Sequence, residues 1–200
     1  MKKIIAGILL KLWGWKIEGE IPRDKKLMVV VMHHTSNWDF VLAMLVRWKL
    51  GLNVSFVAKS SLFKPPLGYI MRYLGGYPVE RNPAKKKGSV VQQIIDIINK
   101  HDKIWIGFTP EGTRDKVDKL KSGFYTIAKE TGIKIVFVDF DYSTKTIRID
   151  KPHKPAPSFE EELQLMKSFY KNSKGRYPEK SFDFDKINAP HVASPTNNKI

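Results

Sequence analysis

The 200-residue sequence predicts a single α/β domain with a mixed, mostly parallel central sheet flanked by helices. Three observations carry this expectation. Apolar runs at 27–32, 104–108 and 133–139 have the length and composition of strands buried on both faces. Segments with helical apolar spacing alternate with them, most clearly at 86–100, where Val90, Val91, Ile94, Ile95, Ile97 and Ile98 form one broad face. Two polar turn motifs follow the first two runs, at the carboxyl strand ends where such sheets bind ligands.

The elements follow in order. Residues 1–16 combine Lys2, Lys3 and Lys11 with apolar side chains, Trp13 and Trp15. This composition suits an amphipathic helix in a bilayer interface, and equally a terminal helix packed on the domain. After the strand at 27–32, residues 38–50 read as a helix, with Ser36 or Asn37 as N-cap and Gly51 as its stop. A short strand is expected at 54–58. Pro65 and Pro66 make 60–74 a turn followed by a helix from Leu67, ended by Gly75 and Gly76. An extended segment at 77–81, a helix at 86–100 and a strand at 103–108 come next.

Residues 123–131 form a helix closed by Gly132. The strand at 133–139 pairs with 144–149 as a hairpin across Tyr142 and Ser143. Three prolines mark 151–157 as a linker, and a capping box of Ser158 with Glu161 opens a last helix to about residue 172. The domain is thus expected to span 1–187, with 188–200 a disordered tail.

A hydrophobic content of 42% suffices for a substantial core. The absence of cysteine excludes disulfides, thiolate zinc sites and a cysteine nucleophile. Lys and Arg number 35 against 20 Asp and Glu, a net charge of +15. So basic a surface attracts polyanions: anionic headgroups, phosphorylated substrates and carriers, or nucleic acid. No nucleic-acid-binding motif accompanies the charge, so no nucleic-acid partner is expected. No segment reaches the ~20 apolar residues of a spanning helix.

The first motif runs from His34 through Thr35, Ser36, Asn37 and Trp38 to Asp39. On one continuous helix the pair would stand about 140° apart. With His34 in the strand-to-helix turn and Asp39 in the first helical turn, the carboxylate can orient the imidazole as a general base. The competing reading is a helix-capping Asp39 beside a surface histidine. His33 adds no recognisable metal-ligand spacing, and no metal is expected.

The second motif is Thr109-Pro110-Glu111-Gly112-Thr113-Arg114. Gly112 permits a tight turn, Thr113 offers a hydroxyl and Arg114 a planar fork matched to phosphate oxygens. Alone it could equally be a solvated β-turn. A third segment carries Gly75, Gly76, Val79 and Arg81, and Lys59 and Lys121 could add charge near the same crevice.

Together these segments resemble the glycerolipid acyltransferase family, best known from the 1-acylglycerol-3-phosphate acyltransferases. His34 and Asp39 match the family's His-x4-Asp block. Gly75, Val79 and Arg81 match its Gly-x-x-x-Ile/Val-x-Arg block. Phe108, Pro110, Glu111, Gly112, Thr113 and Arg114 match Phe-Pro-Glu-Gly-Thr-Arg, with Thr109 inserted, and Lys121-Ser122-Gly123-Phe124 approximates the Lys-x-Gly-Phe that often follows. The resemblance spans roughly 28–138 and implies a glycerol-phosphate-acyltransferase-like fold. It implies His34 as base and Asp39 as its orienter, with Arg81, Glu111, Gly112, Thr113 and Arg114 binding the acceptor's glycerol phosphate. Phe137 stands where the fourth block carries a proline, and Asp115 where serine often follows the arginine. The chain also lacks the longer hydrophobic N-terminal helices of many relatives, which implies peripheral attachment.

The expected activity is therefore transfer of a fatty acyl group from acyl-CoA or acyl carrier protein to a lysophospholipid hydroxyl, in phospholipid biosynthesis. The expected acceptor is 1-acylglycerol 3-phosphate, with no cofactor, at the cytoplasmic face of a membrane bearing anionic lipid. Amides near Trp38 are the expected oxyanion donors, and Trp38, Phe63, Leu67, Met71 and Phe124 the expected lining of an acyl groove. The alternatives are a different hydroxyl acceptor on the same fold, or a non-catalytic lipid-binding protein.

Overall fold

Apolar runs flanked by turns settle into alternating strands and helices, and the computed structural model describes residues 1–80 and 88–187. The chain begins with α1 (Lys2–Leu12), β1 (Lys16–Glu18) and β2 (Lys26–Met32). It continues through α2 (Trp38–Leu50), β3 (Val54–Lys59), α3 (Leu67–Tyr73) and β4 (Gly76–Val79). Then come α4 (Val90–Asn99), β5 (Ile104–Phe108) and α5 (Gly123–Thr131). The hairpin β6 (Lys134–Asp141) and β7 (Thr146–Ile149) precedes α6 (Phe159–Tyr170).

The sheet has seven strands in the order β1-β7-β6-β2-β5-β3-β4. Every neighbouring pair is parallel except β6 with β7. The expected mixed, mostly parallel sheet is therefore present. Alternation along β2 divides the core: Met28, Val30 and Met32 face α4, α5 and α6, while Leu27 and Val29 pack on the opposite side. Each fully buried side chain of this kind contributes roughly 1.5–3 kcal/mol. Tyr170 of α6 is buried, and its hydroxyl donates to the Val30 carbonyl at 2.7 Å, tying α6 to the central strand.

Helix α2 occupies the expected residues and stops at Gly51, whose φ of +69° is left-handed, as is that of Gly132 (+67°) after α5. Helix α1 packs on α2 through Ala6 and Leu10, in a cluster with Trp15, Leu42, Leu45, Phe140 and Ile147. Its Ile4, Ile5, Ile8, Leu9 and Leu12 face outward.

Several boundaries differ from expectation. The edge strand β1 was not anticipated, because three residues at a sheet edge carry no periodic signal. The β6–β7 turn extends over 142–145. The expected linker is tied to the sheet, since His153 and Ile135 exchange two backbone hydrogen bonds of 2.9 Å. Helix α4 starts at Val90, where Ser89 accepts from the Gln92 amide at 3.0 Å. The last helix ends at Tyr170, two residues short of the expected end. Residues 86–87 and the expected disordered tail at 188–200 lie outside the described residues.

Candidate active site

Strands β2 and β5 are parallel neighbours in register from Lys26 with Ile104 to Val30 with Phe108. Their carboxyl ends therefore release the His34 and Glu111 loops side by side. From β2 the chain goes through α2 to β3, on the far side of β5; from β5 it goes through α5 to β6, on the far side of β2. Connections leaving in opposite directions open a crevice between the two strand ends.

His34 lies in the turn and Asp39 in the first turn of α2, which brings His34 Nδ1 to 3.2 Å from Asp39 Oδ2. The same oxygen accepts the amides of Thr35 at 3.0 Å and Ser36 at 2.9 Å. The carboxylate thus closes the loop that carries the histidine and sits at the positive end of α2. Asp39 is only 3% exposed, whereas the His34 side chain is 25% exposed. A carboxylate on Nδ1 places the proton there and leaves Nε2 as the acceptor. His33 is turned into the core against the Tyr170 and Phe184 rings, and burial pushes its pKa down to about 4. It is neutral packing beside the half-buried His34.

Glu111 is placed beneath the loop. Its Oε1 accepts the His34 backbone amide at 2.9 Å, and the residue is 3% exposed. Oε2 has no hydrogen-bond partner among the described residues. Burial pushes the pKa up to about 7, against the opposing pull of the His34 amide. This carboxyl supports the histidine backbone from below.

Gly112 has φ +65°, the left-handed region that favours glycine, and the Lys121 side chain lies against it. The Thr113 hydroxyl accepts the Asp115 amide at 3.3 Å. Arg114 Nη1 donates to Asn37 Oδ1, which brings the exposed guanidinium to the start of α2, two turn residues from His34. Asp115 is paired with Lys180 Nζ at 3.3 Å, so the charge it adds beside Arg114 is compensated. Phe137 is buried against His153, Phe169 and Tyr170, filling the position with core packing. Arg81 lies outside the described residues; Gly75 (φ +87°) leads into β4 and buried Val79 ends it.

Two expectations change. The Trp38 amide is already engaged, donating to Ser36 Oγ at 3.2 Å, so it is not free as an oxyanion donor. Phe124 is wholly buried in the core and lines no groove, and Phe63 is buried too. Trp38 is at the mouth, 46% exposed, edge-on to Trp13 with centroids 5.5 Å apart and beneath the Arg176 guanidinium at 5.3 Å. Leu67 is exposed on α3 and Met71 half-buried. Sequence reasoning missed Tyr142, whose hydroxyl donates to Asp39 Oδ1 at 2.8 Å. It also missed Arg176 beside it. No local pattern marks either.

Among the described residues, no helix is long and apolar enough to cross a membrane, and no cluster of three or more His, Asp or Glu side chains could hold a metal ion.

The chain is 29% identical over 137 residues to a 1-acyl-sn-glycerol-3-phosphate acyltransferase of Haemophilus influenzae, covering 65% of this chain and 55% of that protein. It is 27% identical over 96 residues to a probable 1-acyl-sn-glycerol-3-phosphate acyltransferase 5 of Arabidopsis thaliana, covering 47% of this chain and 26% of that one. The matched stretch is thus about half the length of the bacterial relative and a quarter of the plant one. The crystal structure of the 1-acyl-sn-glycerophosphate (LPA) acyltransferase PlsC from Thermotoga maritima superposes with a TM-score of 0.60 at 20% identity, covering 84% of this chain and 74% of that one. That likeness establishes the fold. The Acyltransferase family model matches residues 15–140, the stretch that contains every strand end forming the crevice, and the chain belongs to that family.

Proposed function

We propose that this chain is an O-acyltransferase that moves a fatty acyl group from a thioester donor to the free hydroxyl of 1-acylglycerol 3-phosphate. The observation that carries the reading is the His34–Asp39 pair, with Nδ1 held at 3.2 Å and the imidazole edge open to a crevice that also receives Arg114. Nε2 takes the proton of the acceptor hydroxyl as its oxygen bonds to the thioester carbonyl. Collapse of the tetrahedral intermediate breaks the C–S bond, and the imidazolium returns the proton to the departing thiolate. Asp39 holds the ring and stabilises the imidazolium between the two steps. A base so positioned contributes ~10²–10⁴ in rate.

Arg114 and Lys121, with Arg81 of the neighbouring block, supply cations suited to the acceptor phosphate. The donor is acyl-CoA or acyl carrier protein, both anionic and matched to the net charge of +15. The outward face of α1, bearing Ile4, Ile5, Ile8 and Leu12 with Lys2, Lys3 and Lys11, supports peripheral attachment to an anionic lipid surface at the cytoplasmic side of a membrane.

Thiol release from both donors across a panel of lysolipids, with wild type and His34→Ala, tests the reading. Acceptor-dependent release that falls at least ~10²-fold in the variant, at unchanged melting temperature, is the expected result. Release without acceptor would identify a thioesterase. Tight lysolipid binding with no release from any donor would overturn catalysis and leave a lipid-binding protein.

A further inference from the structure

Asp39 presents two oxygens. Oδ2 serves His34 and the two loop amides, and Oδ1 receives one side chain, the hydroxyl of Tyr142 at 2.8 Å. We propose that Tyr142 is a positioning residue for the catalytic base, holding Asp39 so that Oδ2 stays directed at His34 Nδ1. This rests on the His34 mechanism above.

The phenol is itself held from three directions. It begins the β6–β7 turn, and its amide donates to the Lys174 carbonyl at 2.9 Å. Its ring stands perpendicular to Trp15, with centroids 4.9 Å apart and an interplanar angle of 89°. The Arg176 guanidinium faces the same hydroxyl and lies over the Trp38 ring. Arginine can only donate and the carboxylate can only accept, so the phenolic hydrogen points at Asp39. Burial, and then the Asp39 charge, push the phenol's pKa up, so it remains a donor throughout the working pH range. Arg176 lies beyond the 15–140 stretch shared with the family, as does Tyr142.

The charged and titratable groups facing this network come from several adjoining elements: His34 from the β2–α2 loop, Asp39 from the first turn of α2, Glu111 from the loop after β5, Asp141 from the end of β6, Arg176 from the segment after α6, and His33 behind Asp39. Removing the hydroxyl leaves the full charge of Asp39 to the imidazole, which favours imidazolium and disfavours the free base.

Tyr142→Phe preserves the ring and its packing on Trp15. The expected result is a fall in kcat of about 10-fold, part of what a positioned base supplies, with KM for donor and acceptor unchanged. The acid limb of kcat/KM against pH moves to higher pH, and the downfield Nδ1 proton resonance of His34 shifts. An unmoved acid limb and resonance, with wild-type kcat and a lowered melting temperature, would make Tyr142 a packing residue and overturn the proposal. His34→Ala, assayed in parallel, separates the two readings. Full activity there defeats the base mechanism, whereas its collapse beside a wild-type profile for Tyr142→Phe defeats only this inference.

Discussion

A carboxylate as buried as Asp39 must have its lone pairs matched individually, and its donors arrive as two amides, an imidazole and a phenol. Glu111, the other buried carboxyl of the site, has one oxygen matched and the other without a hydrogen-bond partner among the described residues. Burial is what raises its pKa to about 7, against the pull of the His34 amide. A carboxyl raised from 4.5 to about 7 carries no penalty below pH 4.5; the penalty grows through that window and is full above it. Its size is of the order of 3 kcal/mol. Glu111→Gln retains an acceptor for the His34 amide and cannot ionise. Its stability relative to wild type should therefore rise between pH 5 and pH 8, read as the difference in melting temperature. A difference flat with pH would mean that Glu111 is ionised throughout at no cost. The His34–Asp39 pair was legible in the sequence because its spacing is local. Tyr142 was not, because it lies 103 residues from Asp39 and only the return of β6 beside β2 brings it there.

At the scale of elements, α1 packs on the domain and still turns an apolar face outward. Spacing puts Ala6 and Leu10 on α2, so the helix packs on the domain. Yet Ile8 and Leu12 remain 53% and 80% exposed, with Trp13 reaching Trp38 at the crevice mouth. Deleting residues 1–18 would remove core side chains and an edge strand, so surface substitutions isolate the outer face better. Ile8→Lys combined with Leu12→Lys should leave folding within about 0.5 kcal/mol, since neither side chain is buried. Sedimentation with anionic vesicles should fall at least about tenfold, because two large apolar side chains no longer enter the interface. Unchanged sedimentation would remove α1 from the lipid-facing surface. Helices were legible almost residue for residue where glycine stops them, as at Gly51 and Gly132. Strand β1 and the His153 bridge were not, because edge pairing is decided by the partner strand.

At the scale of the molecule, +15 acts over the whole surface, whereas the proposed catalysis is confined to one crevice. Transfer on anionic vesicles should decline as the Debye length is shortened from about 10 Å to about 3 Å with salt, whereas transfer to acceptor in neutral micelles should hold. Equal decline on both would locate the salt effect in the crevice rather than at the lipid surface. The residues themselves determined the alternating elements, the turn chemistry at two strand ends and the excess of positive charge, since periodicity, glycine conformation and composition are local properties. Tertiary structure alone decided that β5 lies beside β2, that Glu111 supports His34 from beneath, and that Tyr142 and Arg176 stand behind Asp39. Those contacts join residues far apart in the chain, and they form only when strand order and burial select which distant donor meets each buried acceptor.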